Sequence, residues 1–366
     1  MMKTKNTVIG IETSCDETAV AIVQQEGSHG KVLAEVVLSQ IDQHSHYGGV
    51  VPEIAARAHI DVLDTLIKQT LSRANMQISD MDSIAVTAGP GLMGGLIVGL
   101  MTAKAIAYAS HKPLYAINHL EGHILTARFT DHVDFPYLVL LVSGGHTQIV
   151  LVRDVGCYDR WGTTVDDALG ECFDKIAKSL GLLGLSSSGG SAIEKSALTG
   201  DGQRFHFPSP KIQGSPCDFS FSGLKTSVQQ KIRSLGILEE KDIADICASF
   251  QVTVTNVIRI KLEQAFLRFR QDFPSKIPTL IISGGVASNC FIRSFLIDFC
   301  SSHDFHFIAP PARLCTDNAV MIAWAALERM KAGFSPDDLS IAPRSRWPLD
   351  EKSLAKIGSG KRGAKA

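Results

Sequence analysis

The chain has 366 residues, of which 45% are hydrophobic and 20% charged, and its formal net charge at pH 7 is −1. The length exceeds what one small core needs and favours two domains, in a composition that is ordinary for a soluble globular protein. The near-zero charge excludes a globally basic surface, so a nucleic-acid partner would have to meet a local patch.

Cysteines and apolar runs indicate the cellular compartment. The eight cysteines form no C-x-x-C pair, and residues 1–7 lack the apolar core of a signal peptide. No uninterrupted apolar run reaches about 18 residues, since Lys104 and glycines interrupt residues 92–109. We therefore expect a cytoplasmic protein with reduced thiols and no membrane partner.

The hydrophobic pattern predicts alternating strands and helices. In chain order, the first half is predicted to contain strands at 8–13, 18–23 and 31–38, a helix at 52–74, a strand at 83–87, a helix at 94–110 and a strand at 114–117. The second half is predicted to contain strands at 137–142 and 147–152, a helix at 243–270, a strand at 279–282, a helix at 287–300, a strand at 306–309 and a helix at 317–330. A hairpin followed by a strand–turn–helix unit occurs in both halves. Two related α/β domains are therefore predicted, with a ligand cleft between them.

His119 and His123 are candidate ligands of a metal ion. Residues 119–123 have the sequence H-L-E-G-H, and two histidines four residues apart lie on one face of a helix. Two imidazoles placed in this way can bind one metal ion. A zincin-type protease needs its general base directly after the first histidine. Because Glu121 stands one place later, the motif argues against that protease chemistry.

Asp317 lies in the sequence C-T-D-N, after a predicted strand and at a predicted helix start. The simplest interpretation is a helix cap formed by Thr316 or Asp317. A carboxylate at this position would also complete a two-histidine, one-carboxylate set with His119 and His123. Such a set leaves metal positions open for a substrate and favours iron, zinc or manganese.

Three glycine-rich turns are candidate binding loops. Residues 89–94 match the G-x-G-x-x-G pattern of dinucleotide sites, but no acid ends the next strand, so a tight packing turn is favoured. Residues 143–146, S-G-G-H, can form a phosphate-binding nest or a plain hairpin turn. Residues 283–285, S-G-G, precede a helix whose N-terminal amides favour an anion, with Asn289 on its first turns.

Two clusters of basic residues could meet a nucleic acid, although each is typical of an ordinary solvated surface. The first cluster, on the predicted helix at 243–270, contains Arg259, Lys261, Arg268 and Arg270. The second cluster, in the C-terminal tail, contains Lys352, Lys356, Lys361, Arg362 and Lys365.

Eight segments together carry a family resemblance. They are residues 9–18 (IGIETSCDET), 47–53 (YGGVVPE), 88–92 (AGPGL), 119–123 (HLEGH), 141–148 (LVSGGHTQ), 218–226 (DFSFSGLKT), 284–289 (GGVASN) and 315–318 (CTDN). In this order they resemble the universal family of tRNA threonylcarbamoyladenosine transferases, formerly known as sialoglycoprotein endopeptidases. The match runs from residue 8 to about 348, which excludes a chance similarity.

The resemblance implies an α/β fold of two duplicated actin-like, sugar-kinase-like (ASKHA) ATPase domains with an interdomain cleft. It places residues 1–118 and about 318–348 in the N-terminal domain and residues 119–317 in the second domain. Residues 349–366 are then a basic tail that is expected to be disordered. The implied activity is transfer of a threonylcarbamoyl group from threonylcarbamoyl-AMP to N6 of adenosine 37, in tRNAs that read codons beginning with A.

By the same resemblance, His119, His123 and Asp317 bind one divalent metal ion, usually Fe²⁺ in the family, with Zn²⁺ or Mn²⁺ as alternatives. The residues that would line the nucleotide site are Leu141, Val142, Ser143, Gly144, Gly145, Asp174, Gly190 and Asn289. The implied partners are tRNA, threonylcarbamoyl-AMP, a smaller paralogous subunit of the same ASKHA fold and a P-loop ATPase. No single residue is implied as the catalytic base.

The chain departs from the family pattern at three places. Residues 186–191 (SSSGGS) replace the usual Y-P-G-G-P, which bears on Gly190, and Glu194 stands where relatives often carry an aspartate. Leu141 replaces a tyrosine of the archaeal and eukaryotic branch, which leaves three protein ligands for the metal. Two alternative functions are a metalloprotease, as the older family name held, and an ATP-switched scaffold without chemistry of its own.

Overall fold

The computed structural model describes residues 5–44, 47, 49–182, 188–210 and 215–353. Its strands are β1 (Lys5–Glu12), β2 (Glu17–Glu26), β3 (His29–Ser39), β4 (Ser83–Gly89), β5 (Leu114–Asn118), β6 (Tyr137–Val142), β7 (Thr147–Asp154), β8 (Cys157–Thr163), β9 (Thr279–Ser283) and β10 (His306–Ile308). Its helices are α1 (Ile41–His44), α2 (Pro52–Ala74), α3 (Met93–Ser110), α4 (His119–Asp131), α5 (Leu169–Ser179), α6 (Gly189–Ala197), α7 (Ser222–Leu235), α8 (Glu240–Asp272), α9 (Cys290–Ser302), α10 (Ala312–Cys315) and α11 (Ala319–Lys331).

The strands form two five-stranded sheets of the same design. The strand order is β3-β2-β1-β4-β5 in the first sheet and β10-β9-β6-β7-β8 in the second. In each sheet a three-stranded antiparallel meander continues into parallel strands, which are β4 and β5 in the first sheet and β9 and β10 in the second. The internal repeat predicted from the sequence is therefore confirmed, and so is the mixed α/β class.

The parallel strands deliver several turns to the same edge of each sheet. In the first sheet β1, β4 and β5 run in the same direction and end at Glu12, Gly89 and Asn118. In the second sheet β6 and β9 are parallel and end at Val142 and Ser283. Because the carboxyl ends of parallel strands meet at one edge, this is where such folds place their ligands.

A shared apolar layer joins the two sheets. Leu120 and Ile124 of α4 and Trp324 of α11 lie in one buried cluster with Val8 of β1 and Val139 of β6. Helix α4 contacts strands of both sheets, whereas α11 packs on α4 and on the strands of the first sheet, so α4 is the helix that covers apolar surface on both sheets. Each half also has a core of its own, on the other face of its sheet.

Between residues 157 and 235 the structure contains elements that the sequence pattern does not predict. These are β8, α5, α6 and α7, which are short and mix polar with apolar residues. Two predicted helix starts are also shifted. A short 3-10 helix at Gly285–Ser288 precedes α9, which begins at Cys290, and α11 begins at Ala319 instead of Asp317. The predicted basic tail begins within the structure, where Asp350 accepts a hydrogen bond from the amide of Arg160 (3.0 Å), and its remainder, residues 354–366, lies outside the described residues.

Two helices are long and apolar enough to cross a membrane by length and composition, although no uninterrupted apolar run of the sequence reaches about 18 residues. They are α3 and α8. The single Lys104 does not lower the mean hydropathy of α3 enough to remove it from this class. Two thirds of the most apolar 18-residue stretch of α8 is buried within the protein, compared with one third of α3. The apolar character of α8 is therefore that of a core helix, whereas α3 keeps a large exposed apolar face.

Candidate functional site

The structure brings His119, His123 and Asp317 together. The side chain of Asn118 accepts a hydrogen bond from the amide of Leu120 (2.9 Å), so α4 begins at His119 and places His123 one turn later. Oδ1 of Asp317 lies 3.4 Å from Nε2 of His119 and 3.2 Å from Nε2 of His123. One ligand atom from each residue lies within 4.8 Å of the others. The two halves of the chain thus meet in one cluster.

Asp317 is not the cap of the helix that follows it. The side chain of Asn318 accepts a hydrogen bond from the amide of Met321 (2.9 Å) and donates one to the carbonyl oxygen of Thr316 (2.8 Å). The simplest interpretation of the sequence, in which Thr316 or Asp317 is the N-cap, is therefore wrong. Because Asn318 takes that role, the carboxylate of Asp317 is left to face the two histidines.

The cluster fits a divalent metal ion in both chemistry and size. Two imidazole nitrogens and one carboxylate oxygen form a donor set shared by Fe²⁺, Zn²⁺ and Mn²⁺. Ligand atoms held at about 2.1 Å from one ion lie roughly 3.0–3.4 Å from each other, and Oδ1 of Asp317 lies 3.4 and 3.2 Å from the two imidazole nitrogens. His119 and His123 are 8% and 1% exposed, so the donors are already ordered by the fold.

Glu12 is a site residue that the sequence reasoning did not single out. Its buried carboxylate accepts hydrogen bonds from the amide of Ser14 (2.6 Å) and the hydroxyl of Thr87, and Oε2 lies 3.1 Å from Nδ1 of His119. A carboxylate that is hydrogen-bonded to the second ring nitrogen fixes both the orientation and the tautomer of a metal-binding histidine. The position of Glu12 at the end of the first strand, inside the motif at 9–18, was the signal for it.

The charges in the cluster are strongly coupled. Burial disfavours the charged form of His119, yet Asp317 and Glu12 outweigh it and raise the pKa of this imidazole well above its usual value. Burial opposes ionisation of Asp317 as well, but His119 and His123 hold its pKa far below the ordinary range. The pKa of His123 is lowered, mainly by burial. The two carboxylates therefore favour the protonated form of His119, and a bound cation would compete with that proton.

More carboxyl groups surround the cluster. Burial, followed by the nearby Asp317 and Asp16, raises the pKa of Glu17 to about 9. Burial also raises the pKa of Asp174, and the charge of Asp16 contributes. Because Asp16 belongs to the turn after β1 and Asp174 to α5, acidic groups of the two halves face each other. Such an accumulation of carboxyls suits a site that holds a cation.

The two S-G-G turns lie side by side, next to the cluster. Gly284 has φ +95°, and a Cβ there would lie 2.4 Å from the carbonyl oxygen of Val142, so the turns pack without a side chain between them. The hydroxyl of Ser283 donates to the carbonyl oxygen of His123 (3.0 Å). Nothing lies within 4 Å of a Cβ built on Gly144 or Gly145, which are exposed. The backbone at Gly144 and Gly145 is therefore open to a ligand.

The remaining predicted nucleotide residues lie around these turns. The carboxylate of Asp174 accepts a hydrogen bond from the amide of Gly189 (3.0 Å), and the space over the neighbouring Gly190 is open. Asn289 caps α9 by accepting from the amide of Ile292 (2.9 Å), and it donates to Gln251 (2.9 Å). Leu141 is buried in β6. Of the divergent stretch at 186–191, the first two residues lie outside the described part of the chain.

The G-x-G-x-x-G match at residues 89–94 is a packing motif. Gly89 has φ +147°, and a Cβ there would lie 1.9 Å from the carbonyl oxygen of Arg344. A Cβ on Gly91 would lie 2.6 Å from the carbonyl oxygen of Ser14. The glycines therefore allow two other chain segments to pack closely against this turn, and the dinucleotide interpretation is not needed.

Comparison with known proteins decides the family. The family model for tRNA N6-adenosine threonylcarbamoyltransferase (TsaD) matches residues 31–324. The chain is 59% identical over 362 residues to the curated tRNA N6-adenosine threonylcarbamoyltransferase of Rhizobium johnstonii, covering 98% of both chains. It is 58% identical over 361 residues to the enzyme of Brucella anthropi, covering 98% of this chain and 99% of that one. The chain belongs to the TsaD family. It is thus an acyltransferase that modifies tRNA.

Solved structures support the fold. Full-length HypF, in a phosphate- and nucleotide-bound crystal structure, superposes with a TM-score of 0.59 at 13% identity, over 90% of this chain and 56% of that one. HypF of T. kodakarensis gives a TM-score of 0.57 at 13% identity, over 93% and 49%. This chain therefore spans about half the length of the HypF chains that it matches. The likeness confirms the duplicated ASKHA-type fold expected from the sequence.

Glu121 does not act as a zincin-type base in this TsaD-family chain. Its carboxylate accepts a hydrogen bond from the hydroxyl of Tyr158 (2.7 Å) and pairs with the guanidinium of Arg329 (2.6 Å). The side chain is fully buried in these contacts. A carboxylate engaged in this way joins α4 to α11 and β8, so its role in the H-L-E-G-H motif is structural.

Proposed function

We propose that this TsaD-family chain transfers the threonylcarbamoyl group from threonylcarbamoyl-AMP to N6 of adenosine 37, in tRNAs that read codons beginning with A, and releases AMP. The observation that carries the proposal is the contact between the metal-ligand cluster and the two glycine turns. Ser283 bonds to the backbone of His123, and Gly284 packs on Val142. An acyl-adenylate has a phosphate for the turns and an acyl oxygen for a cation.

The turns are suited to the AMP part of the donor. The amides of Gly144 and Gly145 make no hydrogen bond to another residue within the described part of the chain. Successive free amides in such a turn form an anion nest. The N-terminus of α5 lies against the same turn, since the amide of Gly170 donates to the carbonyl oxygen of Ser143 (3.2 Å). The helix dipole adds to the attraction for a phosphate.

His119, His123 and Asp317 would hold one divalent ion, for which we propose Fe²⁺, with Zn²⁺ and Mn²⁺ as alternatives. When bound, such an ion supplies Lewis acidity and a template for the donor's oxygen atoms. Glu12 holds the ring of His119 in the required orientation. The buried position of Glu12, His119 and His123 keeps bulk water away from that side of a reactive mixed anhydride.

The reaction itself is an acyl transfer. The N6 amine of the adenine attacks the carbamoyl carbon, the bond from that carbon to the phosphate oxygen breaks, AMP leaves with the electron pair, and N6 loses one proton. An exocyclic adenine amine is a weak nucleophile, so orientation of the two substrates and stabilisation of the developing charge matter more than a strong base. The catalytic base is accordingly left unassigned.

The two sheets suggest how the domains divide. We propose residues 1–118 with about 318–348 as one domain and residues 119–317 as the other. This division is supported by α11, which follows Asp317 in sequence but packs on β1 and β2 of the first sheet. With this division, the chain passes from the first domain to the second at His119 and returns to the first domain after Asp317.

The exposed face of α3 supports a protein partner, for which we propose the smaller paralogous ASKHA subunit. Its apolar side chains are between 43% and 73% exposed, and they are Met93, Ile97, Met101 and Tyr108. On α2, which packs against α3, Ile60 is also 63% exposed. A contiguous apolar face of this kind marks an interaction site. We also propose a P-loop ATPase as a partner and a cytoplasmic location. These two proposals rest on family membership alone.

The experiment is a transfer assay with matched variants. His119→Ala and Asp317→Ala should each lose bound metal and the modified nucleoside, as measured by metal analysis and by mass spectrometry of digested tRNA. The control His206→Ala removes an exposed histidine outside the cluster and should keep both. Normal transfer by either cluster variant with normal metal content would refute the metal role.

The same assay separates the alternative functions. The wild-type protein is supplied with threonylcarbamoyl-AMP, unmodified tRNA and its partners, and separately with peptides. Nucleotide binding without any modified nucleoside would favour an ATP-switched scaffold. Peptide cleavage without a nucleotide would favour a metalloprotease.

A further inference from the structure

A segment near the C-terminus crosses the first-sheet side of the site. Residues 343–347, P-R-S-R-W, are called the C-terminal strap here. The amide of Arg344 donates to the carbonyl oxygen of Ala88 (2.7 Å), and the carbonyl oxygen of Ser345 accepts from the amide of Gly91 (3.2 Å). The strap is therefore hydrogen-bonded to the end of β4 and to the turn that follows it.

The strap reaches His119 by two routes. The carbonyl oxygen of Trp347 accepts a hydrogen bond from the side chain of Asn118 (3.0 Å), the residue directly before His119. On the other side, Gly91 packs on Ser14, whose hydroxyl lies 3.1 Å from Nδ1 of His119. The strap is thus connected to His119 through Asn118 on one route, and through Gly91 and Ser14 on the other.

Arg346 is the available cation of the strap. Glu351 pairs with the guanidinium of Arg344 (2.7 Å) and accepts from the indole of Trp347 (3.0 Å), and Arg344 stacks over that ring at 4.8 Å. Arg346, between them, is exposed and forms no ion pair with any residue that the structure describes. Within the described part of the chain, no carboxylate therefore neutralises its charge.

Positive charge is concentrated from the strap onward. Residues 344–366 contain seven basic and two acidic side chains, a net charge of +5, whereas residues 1–343 carry a net charge of −6. An RNA backbone is a polyanion whose affinity for a protein comes largely from such local positive charge. The most basic part of this chain therefore begins beside the proposed active site.

The basic side chains on α8 are less available than Arg346 for contact with an RNA phosphate. Arg259 pairs with Glu263 (2.6 Å), and Lys261 is only 9% exposed. Arg268 stacks over the ring of Trp161 at 4.1 Å. These side chains are used within the protein, so the strap is the better candidate for an RNA contact.

We propose that the C-terminal strap binds the phosphate backbone of the substrate tRNA, with Arg346 as a phosphate contact at the entrance of the site. This inference rests on the tRNA-modifying function proposed above. A guanidinium matches the geometry of a phosphate and stays charged at every relevant pH. A phosphate contact positions the RNA without reading its sequence, so Arg346 serves placement of the adenosine and not codon choice.

The test compares Arg346→Ala, Arg346→Lys and the control Lys276→Ala. Lys276 is an exposed cation just before β9, at the opposite end of the second sheet from the glycine turns. Affinity for unmodified tRNA is measured by fluorescence anisotropy at several salt concentrations. Arg346→Ala should weaken binding by about 3- to 10-fold and reduce the salt slope by about one. Arg346→Lys should restore most of the affinity, and Lys276→Ala should match the wild type.

Two further readouts make the result decisive. In the transfer assay Arg346→Ala should raise the KM for tRNA several-fold, and metal content and donor affinity should equal those of the wild type. Unchanged tRNA affinity and salt slope would overturn the proposal, and so would loss of metal or donor binding, because Arg346 would then be structural. A wild-type protein that forms no modified nucleoside, yet binds tRNA in an Arg346-dependent way, would refute the proposed function and leave the strap as an RNA contact.

Discussion

The carboxylate of Glu12 lies on the opposite side of the His119 ring from Asp317. Nδ1 of His119 faces Glu12 at 3.1 Å, and Nε2 faces Asp317 at 3.4 Å. Burial disfavours the charge of Glu12, but His119 outweighs it and lowers the pKa of the carboxyl. The ring is thereby held between two anions, with one nitrogen reserved for the metal. This makes Glu12 a positioning residue, since it acts on the site through His119.

Replacing Glu12 by Gln should weaken metal binding without unfolding the protein. The amide keeps the shape of the side chain but removes the charge that orients His119, and loss of such a partner costs about 10- to 100-fold in metal affinity. Competition with a chelator measures the affinity, and circular dichroism checks the fold. Glu263→Gln, at a half-buried position on α8 far from the cluster in sequence, is the control. Metal affinity equal to that of the wild type would show that Glu12 is not needed for positioning.

Residue identity explains why the sequence indicated some of the site and missed the rest. His119 and His123 share a helix, so their spacing alone predicts that they lie together. Asp317 comes from a distant loop, and only the choice of Asn318 as the cap leaves its carboxylate free. Glu12 ends an apolar strand, and its burial beside His119 depends on the pairing of β1 with β4, which a single-sequence pattern does not contain.

At the scale of elements, α4 and α11 form the support of the metal cluster. Arg329 of α11 pairs with Glu121 of α4 (2.6 Å) and donates to the carbonyl oxygen of Ala116 (3.2 Å). Tyr158 donates to the same carboxylate (2.7 Å). One buried ion pair thus ties together the helix that carries both histidines and the helix that follows Asp317.

Replacing Arg329 by Met should destabilise the protein by about 3–5 kcal/mol, because it leaves the charge of Glu121 buried without its partner. The free energy of unfolding is measured by denaturant titration. Adding Glu121→Gln to the same chain should recover most of the loss, since the neutral amide still accepts from Tyr158. A double variant as unstable as Arg329→Met alone would contradict this account.

Element prediction succeeded where the hydrophobic pattern was strong. The hairpin strands, α2 and α8 carry long periodic or apolar runs, and each was predicted to within a few residues. The pattern failed over residues 157–235, where β8 and α5 to α7 are short and are stabilised by tertiary contacts. For example, Asp166 accepts hydrogen bonds from the amide of Phe221 (2.8 Å) and the hydroxyl of Ser222 (2.7 Å) at the start of α7. Such distant capping is invisible in a local window.

At the scale of the whole molecule, the site is assembled at the junction of the two halves. The first sheet supplies Glu12, α4 supplies the two histidines, and the second sheet supplies the glycine turns. A donor bound there would contact both halves at once. This arrangement explains why a duplicated fold with two separate cores also shares one apolar layer between its sheets.

The face of the molecule that carries α3 provides a test of the proposed subunit partner. Ile97→Glu and Met101→Glu place a charge on exposed apolar side chains and should leave the fold intact, because neither residue is buried. Each should abolish a stable complex with the smaller paralogous subunit of the same organism in size-exclusion chromatography, since a charge in the apolar core of an interface is strongly unfavourable. The matched control Leu267→Glu changes an exposed leucine on α8 and should leave the complex unchanged. An undiminished complex in both α3 variants would refute the assignment of this face to the subunit. If the wild type binds lipid vesicles and the same variants do not, the face would be assigned to a membrane instead.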